Sequence, residues 1–249
     1  MNFRKFNNEL LQNSMFRPQD VVIDTGKETV VVDRKNYIGG SDIPIIMGID
    51  ERFDTAFGLA CKKAGIKPFK YTTSVFAQYG DLREPEIRDY VNKVYNTNFT
   101  PACLMADRFR ANTDGYDEKL NGILEIKTNN GKDDQFHKYE VQMLFYMMCY
   151  RKEYGLLAEY SRANDLKGIM FDSSTESGFR ENLPYDFNKP FDEKRVKVTF
   201  VPYNREKAFE ILRQIHIFSE KVKAVKKGII ENEYEYKKYE VKKPFVINK

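Results

Sequence analysis

The stretch NTDGYDEKLNGILEIKTNN, residues 112–130, carries one acid, Asp114, and further on an acid and an amine one residue apart, Glu125 and Lys127. In an extended strand, residues two apart share a face, so Glu125 and Lys127 point together while Ile126 points away. Asp114 precedes the turn residues KLNG and falls on the neighbouring strand, where a hairpin register can bring its carboxylate beside that of Glu125. Two adjacent carboxylates repel, and a divalent cation between them removes the conflict. Hard oxygen donors, with only two histidines in the chain, favour Mg²⁺ or Mn²⁺ over Zn²⁺. The main-chain carbonyl of Ile126 is a candidate further ligand. Lys127 would orient an attacking water or stabilise charge on a phosphate, and the metal would lower the pKa of that water, which is the apparatus of metal-dependent phosphodiester hydrolysis. Taken alone, the same residues also suit blander roles: Glu-x-Lys is a common surface ion pair, and Asp-Gly commonly marks a turn.

The elements that must position these groups can be sketched from periodicity. Residues 1–36 open with a short amphipathic piece, followed by an alternating stretch that suggests a hairpin around Gly26. In YIGGSDIPIIMGID, the Gly39-Gly40 pair breaks structure, and Ser41 or Asp42 can cap a helix starting there. Residues 54–65 read as a helix ending at Gly65. Residues 72–96 read as another, with Pro85 either at a first turn or at a kink. CLMADRFRANTDGYDE and GILEIKT read as strands joined at KLNG. DDQFHKYEVQMLFYMMCYR is dense enough in apolar residues for a buried helix, and YGLLAEYSR is the next strand. Residues 164–192 read as a polar excursion. RVKVTFVPYN alternates as a strand, residues 205–228 form a long amphipathic helix, and the last twenty residues show no clear period. The order is helices, then β-β-α-β, then a strand and a helix: one α/β domain with decorations.

Composition bounds the rest. The chain has 249 residues, 41% hydrophobic and 31% charged, as in a globular protein. Its apolar runs are too short to span a bilayer, and the N-terminal residues lack the apolar core of a signal peptide, so the expectation is a cytoplasmic protein with no membrane partner. Cys61, Cys103 and Cys149 lie far apart and form no CxxC pair, which excludes a disulfide framework, a structural zinc site and an iron–sulfur cluster. Net charge is +4, and residues 221–249 hold nine lysines against four glutamates. The basic excess is therefore C-terminal, suited equally to a solvated tail or a nucleic-acid contact.

Further motifs sit in order around the central stretch. GDLREPEIRDYV places Glu84 on, or at the start of, a helix before the strands, and in YEVQMLFYM Gln142 and Tyr146 are i and i+4 on one helix face. With YIGGSDIPIIMG, NTDG and GILEIKT, these five pieces, over roughly residues 34–160, resemble the YqaJ-like viral recombinase family, the family of lambda exonuclease, within the PD-(D/E)XK nuclease superfamily. The resemblance implies an α/β nuclease core, a central mixed sheet flanked by helices, over about residues 34–160 of a single domain spanning 1–249, decorated by 164–192 and by a C-terminal helical, basic extension with its tail at 228–249. It implies that Asp114, Glu125 and the Ile126 carbonyl bind Mg²⁺, with Glu84 close by, through water or a second metal, and with Lys127 catalytic. Gln142 and Tyr146 match a Gln-x-x-x-Tyr element that supports the active site and the DNA strand. Ser41, in GGSD, matches a position that contacts the 5′-terminal phosphate, and Arg34 assists there. A helix N-terminus suits such a phosphate independently of any family. One departure is Thr113, where the superfamily has proline before its first aspartate.

The expectation is a 5′–3′ exonuclease that resects double-stranded DNA ends for phage-type single-strand-annealing recombination in a bacterial host. Its implied partners are an annealing protein and further copies of itself, in a ring and often a trimer. Two alternatives stay open at this level: an endonuclease of the same superfamily acting in restriction or repair, and a non-catalytic DNA-binding protein.

Overall fold

The computed structural model describes residues 22–24, 34–52, 54–69, 74–106, 108–129, 135–162, 190–243 and 245. Seven strands are described: β1 (Val22–Asp24), β2 (Ile38–Gly39), β3 (Thr100–Ala106), β4 (Phe109–Tyr116), β5 (Gly122–Asn129), β6 (Tyr154–Ser161) and β7 (Val196–Pro202). The helices are α1 (Ile43–Ile46), α2 (Ala56–Ala64), α3 (Val75–Tyr95), α4 (Phe136–Tyr150), α5 (Arg205–Lys226) and α6 (Glu233–Lys238).

The strands form one mixed sheet in the order β1-β3-β4-β5-β6-β7, with β2 paired to β4. Pairing is antiparallel except for β5–β6 and β2–β4. The mixed sheet flanked by helices expected from the sequence is therefore present. Helix α3 covers one face, where Tyr79, Ile87 and Val91 pack on Leu124, Ile126, Leu156 and Ala158. Helices α1, α2, α4 and α5 cover the other, where Met143, Leu144, Ile211 and Ile215 pack with Ile123, Leu157 and Val201. β5 and β6, apolar on both faces, are the buried centre of the sheet.

Several local expectations hold. Gly65 ends α2 in the left-handed conformation (φ 80°), and Thr55 caps its start by accepting a hydrogen bond from the Gly58 N–H. Others need correction. CLMADRFRANTDGYDE is two strands, not one: β3 ends at Ala106 and turns back into β4 at Phe109. Only Asp107 and Arg108 separate the two strands, with no glycine or proline to mark the reversal. Neither Ser41 nor Asp42 caps α1 with its side chain; residues Gly40–Asp42 form a 3₁₀ turn instead. Of the two places open to Pro85, a first turn and a position within a longer helix, α3 has the second. The tail includes the short helix α6, capped by Asn232, which accepts a hydrogen bond from the Glu235 N–H. Of the hairpin expected around Gly26, only β1 is described, paired to β3; its turn and second arm, and the excursion from 163 to 189, lie outside the described residues.

Candidate active site

Two features of β4 build the site. The first is a fork. β3 runs along one edge of β4, so β2 and β5 must share the other edge: β2 at Phe109–Arg110, β5 at Gly115–Tyr116. Between them the ladder is open. Thr113 stitches the gap with its hydroxyl, donating to the Leu124 carbonyl at 2.8 Å, so the residue before Asp114 has a structural task. The second feature is a bulge. Thr100 faces Tyr116 but Ala102 faces Thr113, so β4 holds one residue more than β3 around Asp114–Gly115. A bulge reverses which side chains face which way. Phe109 and Ala111 pack into the core beneath α4, and beyond the bulge Tyr116 does so too. Gly115 is required here: a Cβ would come within 2.7 Å of the Cβ atoms of Leu124 and Phe99. The Asp-Gly pair is thus a bulge in a strand and not a turn.

At the open end of the fork, the Asp114 carboxylate accepts a hydrogen bond from the Ile126 N–H at 2.7 Å. The N–H and C=O of a strand residue point to the same edge, so the Ile126 carbonyl faces the opening as well. Glu125 is 1% exposed. Its Oε1 accepts from Lys127 Nζ and from Gln142 Nε2, the latter at 2.7 Å, while its Oε2 is buried without a hydrogen-bond partner. Glu84, on α3, is bound by Arg88 one turn later, and Arg88 Nε also donates to the Asp114 carbonyl at 2.6 Å.

The electrostatics fit a cation site. Burial, and then the Asp114 charge, push Glu125 up to about 8. The same two causes push Glu84 up to about 7. Burial also raises Asp114, against the pull of Lys127 and the Ile126 N–H. Burial disfavours the Lys127 ammonium, but Glu125 and Asp114 outweigh it and hold the amine above its ordinary value. Lys127 therefore stays charged and suits charge stabilisation rather than proton abstraction. A buried carboxylate oxygen with no donor is costly, and a hard cation is the ligand that would repay it. Among the described residues, no group of three or more His, Cys, Asp or Glu side chains could by itself hold a metal ion, so the ligand set here is smaller. Two carboxylates, one carbonyl and open positions fit Mg²⁺, which keeps several waters, and do not fit structural zinc.

The other arm of the fork is a cavity of about 320 Å³ lined by Arg34, Gly40, Ser41, Arg110, Asn112 and Tyr146 among others. Arg34 donates to Ser41 Oγ at 3.4 Å. Beneath them Asp42, 2% exposed, accepts from the Gly39 N–H at 2.9 Å and from Lys63 Nζ at 2.7 Å. Lys63 also donates to the carbonyls of Arg34 and Tyr37. The two arms are joined through α4. Gln142 Nε2 donates both to Glu125 and, at 3.0 Å, to the Tyr146 hydroxyl, and the Tyr146 ring lies so close to Gly40 that a Cβ there would sit 2.2 Å from it.

The structure thus brings together Asp114, Glu125, Ile126, Lys127 and Gln142 at one arm, and Arg34, Ser41 and Tyr146 at the other, with Glu84 at the rim of the first. Sequence reading missed Lys63, Arg88, Arg110 and Asn112. Arg110 and Asn112 stand just before Asp114 on the same strand, a spacing that could have drawn notice. Lys63, on an amphipathic helix, gave no such signal.

No family model matches the sequence, and no curated protein does. Solved structures do match, among them several named as exonucleases. One is an alkaline exonuclease (LHK-Exo) from Laribacter hongkongensis, with TM-score 0.54 and 17% identity over 79% of this chain and 92% of that one. The same enzyme in complex with dAMP matches with TM-score 0.53 and 16% identity over the same shares. A phage-related exonuclease from Haemophilus somnus 129PT matches with TM-score 0.56 and 12% identity, over 78% of this chain and 96% of that one. The chain therefore has the exonuclease-type fold that its motif order led us to expect.

Proposed function

We propose that the protein is a metal-dependent deoxyribonuclease that resects double-stranded DNA ends from 5′ to 3′. The observation that carries this reading is Glu125: a fully buried carboxylate with one oxygen held by Lys127 and Gln142, and the other without a donor beside Asp114. A bound Mg²⁺, or Mn²⁺, would neutralise charge on the scissile phosphate and acidify an attacking water. Asp114, Glu125 and the Ile126 carbonyl would hold it. Lys127 keeps its proton and stabilises the charge that develops on the phosphate oxygens. Gln142 donates to Oε1 and so would leave Oε2 available to the ion.

Arg34, Ser41 and Asn112 would receive the 5′-terminal phosphate in the cavity, which has the volume of about ten waters. Tyr146 links that pocket to the reacting centre. Seating a chain end there sets the distance to the scissile bond and makes the enzyme an exonuclease. The substrate backbone is held by charge without base reading. The biological setting that fits is single-strand-annealing recombination by a phage or prophage protein in the cytoplasm of a bacterial host, with an annealing protein as partner and a ring, such as a trimer, as the assembly. No described helix is long and apolar enough to cross a membrane.

Strand polarity is tested with linear duplexes labelled at either the 5′ or the 3′ end of the same strand. Immediate release of the 5′ label as mononucleotide, with the 3′ label retained in long strands, is expected. Early release of the 3′ label would refute the polarity.

A further inference from the structure

We propose that Arg88 is a positioning residue that keeps Glu84 off the metal, so that only two carboxylates, Asp114 and Glu125, touch the ion. This rests on the metal-site reading above. The Arg88 guanidinium is buried, one helical turn past Glu84, and makes two contacts that no other described residue combines. One nitrogen binds Glu84 Oε1, and Nε donates to the main-chain carbonyl of Asp114 at 2.6 Å. A single buried cation thus ties the α3 carboxylate to the β4 backbone at the bulge that aims Asp114.

Two consequences follow from this geometry. A buried guanidinium without its carboxylate is expensive, so Glu84 is retained by Arg88 and reaches the ion at most through water. The positive charge beside the site also weakens cation binding by direct repulsion. Arg88 therefore trades metal affinity for a fixed Asp114. Removing it should tighten metal binding and slow turnover together. A residue that merely supports the fold would move both in the harmful direction.

The test measures Mn²⁺ binding to the full-length, DNA-free protein by titration calorimetry, beside cleavage of a short duplex. Arg88→Met keeps the length of the side chain and loses the charge and both donors. It is expected to bind Mn²⁺ about tenfold more tightly, or to bind a second ion, through the freed Glu84 and the lost repulsion. Its cleavage should fall about a hundredfold from a misplaced Asp114. Arg88→Lys, which keeps the charge but not the fork, should hold the wild-type affinity with intermediate turnover. A folded Arg88→Met that binds Mn²⁺ no more tightly than wild type overturns the inference. Should that variant not fold, Glu84→Gln decides. A weakening of less than about fivefold places Glu84 outside the ion's ligands, and a loss of a hundredfold or more makes it a ligand and overturns the inference. Absence of Mn²⁺ binding by the wild-type protein would instead sink the metal-site reading, and this inference with it.

Discussion

Asp42 and Glu125 are both buried carboxylates, 2% and 1% exposed, at the two arms of one fork in the sheet. Asp42 is surrounded by donors. It accepts from the Gly39 N–H, the Lys63 ammonium and, at 3.5 Å, Arg34. Glu125 has donors on one oxygen only, and its neighbours Asp114 and Glu84 raise the cost of its charge. The first arrangement is complete without any ligand and shapes the cavity above it. The second is incomplete, and the proposed cation would complete it. Burial alone does not mark a functional carboxylate; the unmet oxygen does.

That contrast can be attacked from both sides. The largest effect is expected at Lys127. Lys127→Ala should cut turnover by about a thousandfold or more while leaving DNA binding intact, read by cleavage and by gel shift of the same duplex. Cleavage at the wild-type rate would remove Lys127 from the chemistry. Asp42→Asn leaves Lys63 without its buried anion and should cost about 3 kcal/mol, a fall of roughly 10 °C in melting temperature, in EDTA as in Mg²⁺. Glu125→Gln should behave oppositely. It should melt within about 3 °C of wild type in EDTA but lose the rise that Mg²⁺ gives the wild-type protein. If the two variants lose stability alike, the distinction between a satisfied and a waiting carboxylate is wrong.

Gly40→Ala pushes a methyl into the Tyr146 ring and should cost about 2 kcal/mol in chemical denaturation. An unchanged midpoint would mean that the two arms are not packed as described. The smallest effect is at the exposed rim. Ser41→Ala should slow digestion of 5′-phosphorylated ends about fivefold, by losing one hydrogen bond, and leave 5′-hydroxyl ends nearly unaffected. Equal slowing of both would take Ser41 out of phosphate recognition.

Much of the Glu125 arm was legible in the sequence because its logic is short-range. Alternation puts Glu125 and Lys127 on one face, and helical spacing puts Gln142 and Tyr146 on another, as found. The aim of Asp114 was less legible. It depends on the bulge at Asp114–Gly115 and on the fork made by β2, and a two-residue strand pairing across seventy positions leaves no periodic trace. The Asp42 arm was read only at its surface, Ser41 and Arg34. Its foundation, Asp42 on Lys63, joins residues twenty-one apart through a contact that neither helix pattern announces. The break between β3 and β4 was lost because only Asp107 and Arg108 separate the two strands and no glycine or proline marks the reversal.

Whether a cation completes Glu125 beside a pocket for a chain end is tested most directly by digestion of a linear duplex with 5′-phosphate ends beside a closed circle of the same sequence, in Mg²⁺ and in EDTA. Mg²⁺-dependent loss of the linear DNA alone, leaving 3′ single strands, is the predicted result. Cutting of the circle, or no cleavage of either DNA in Mg²⁺, would contradict it.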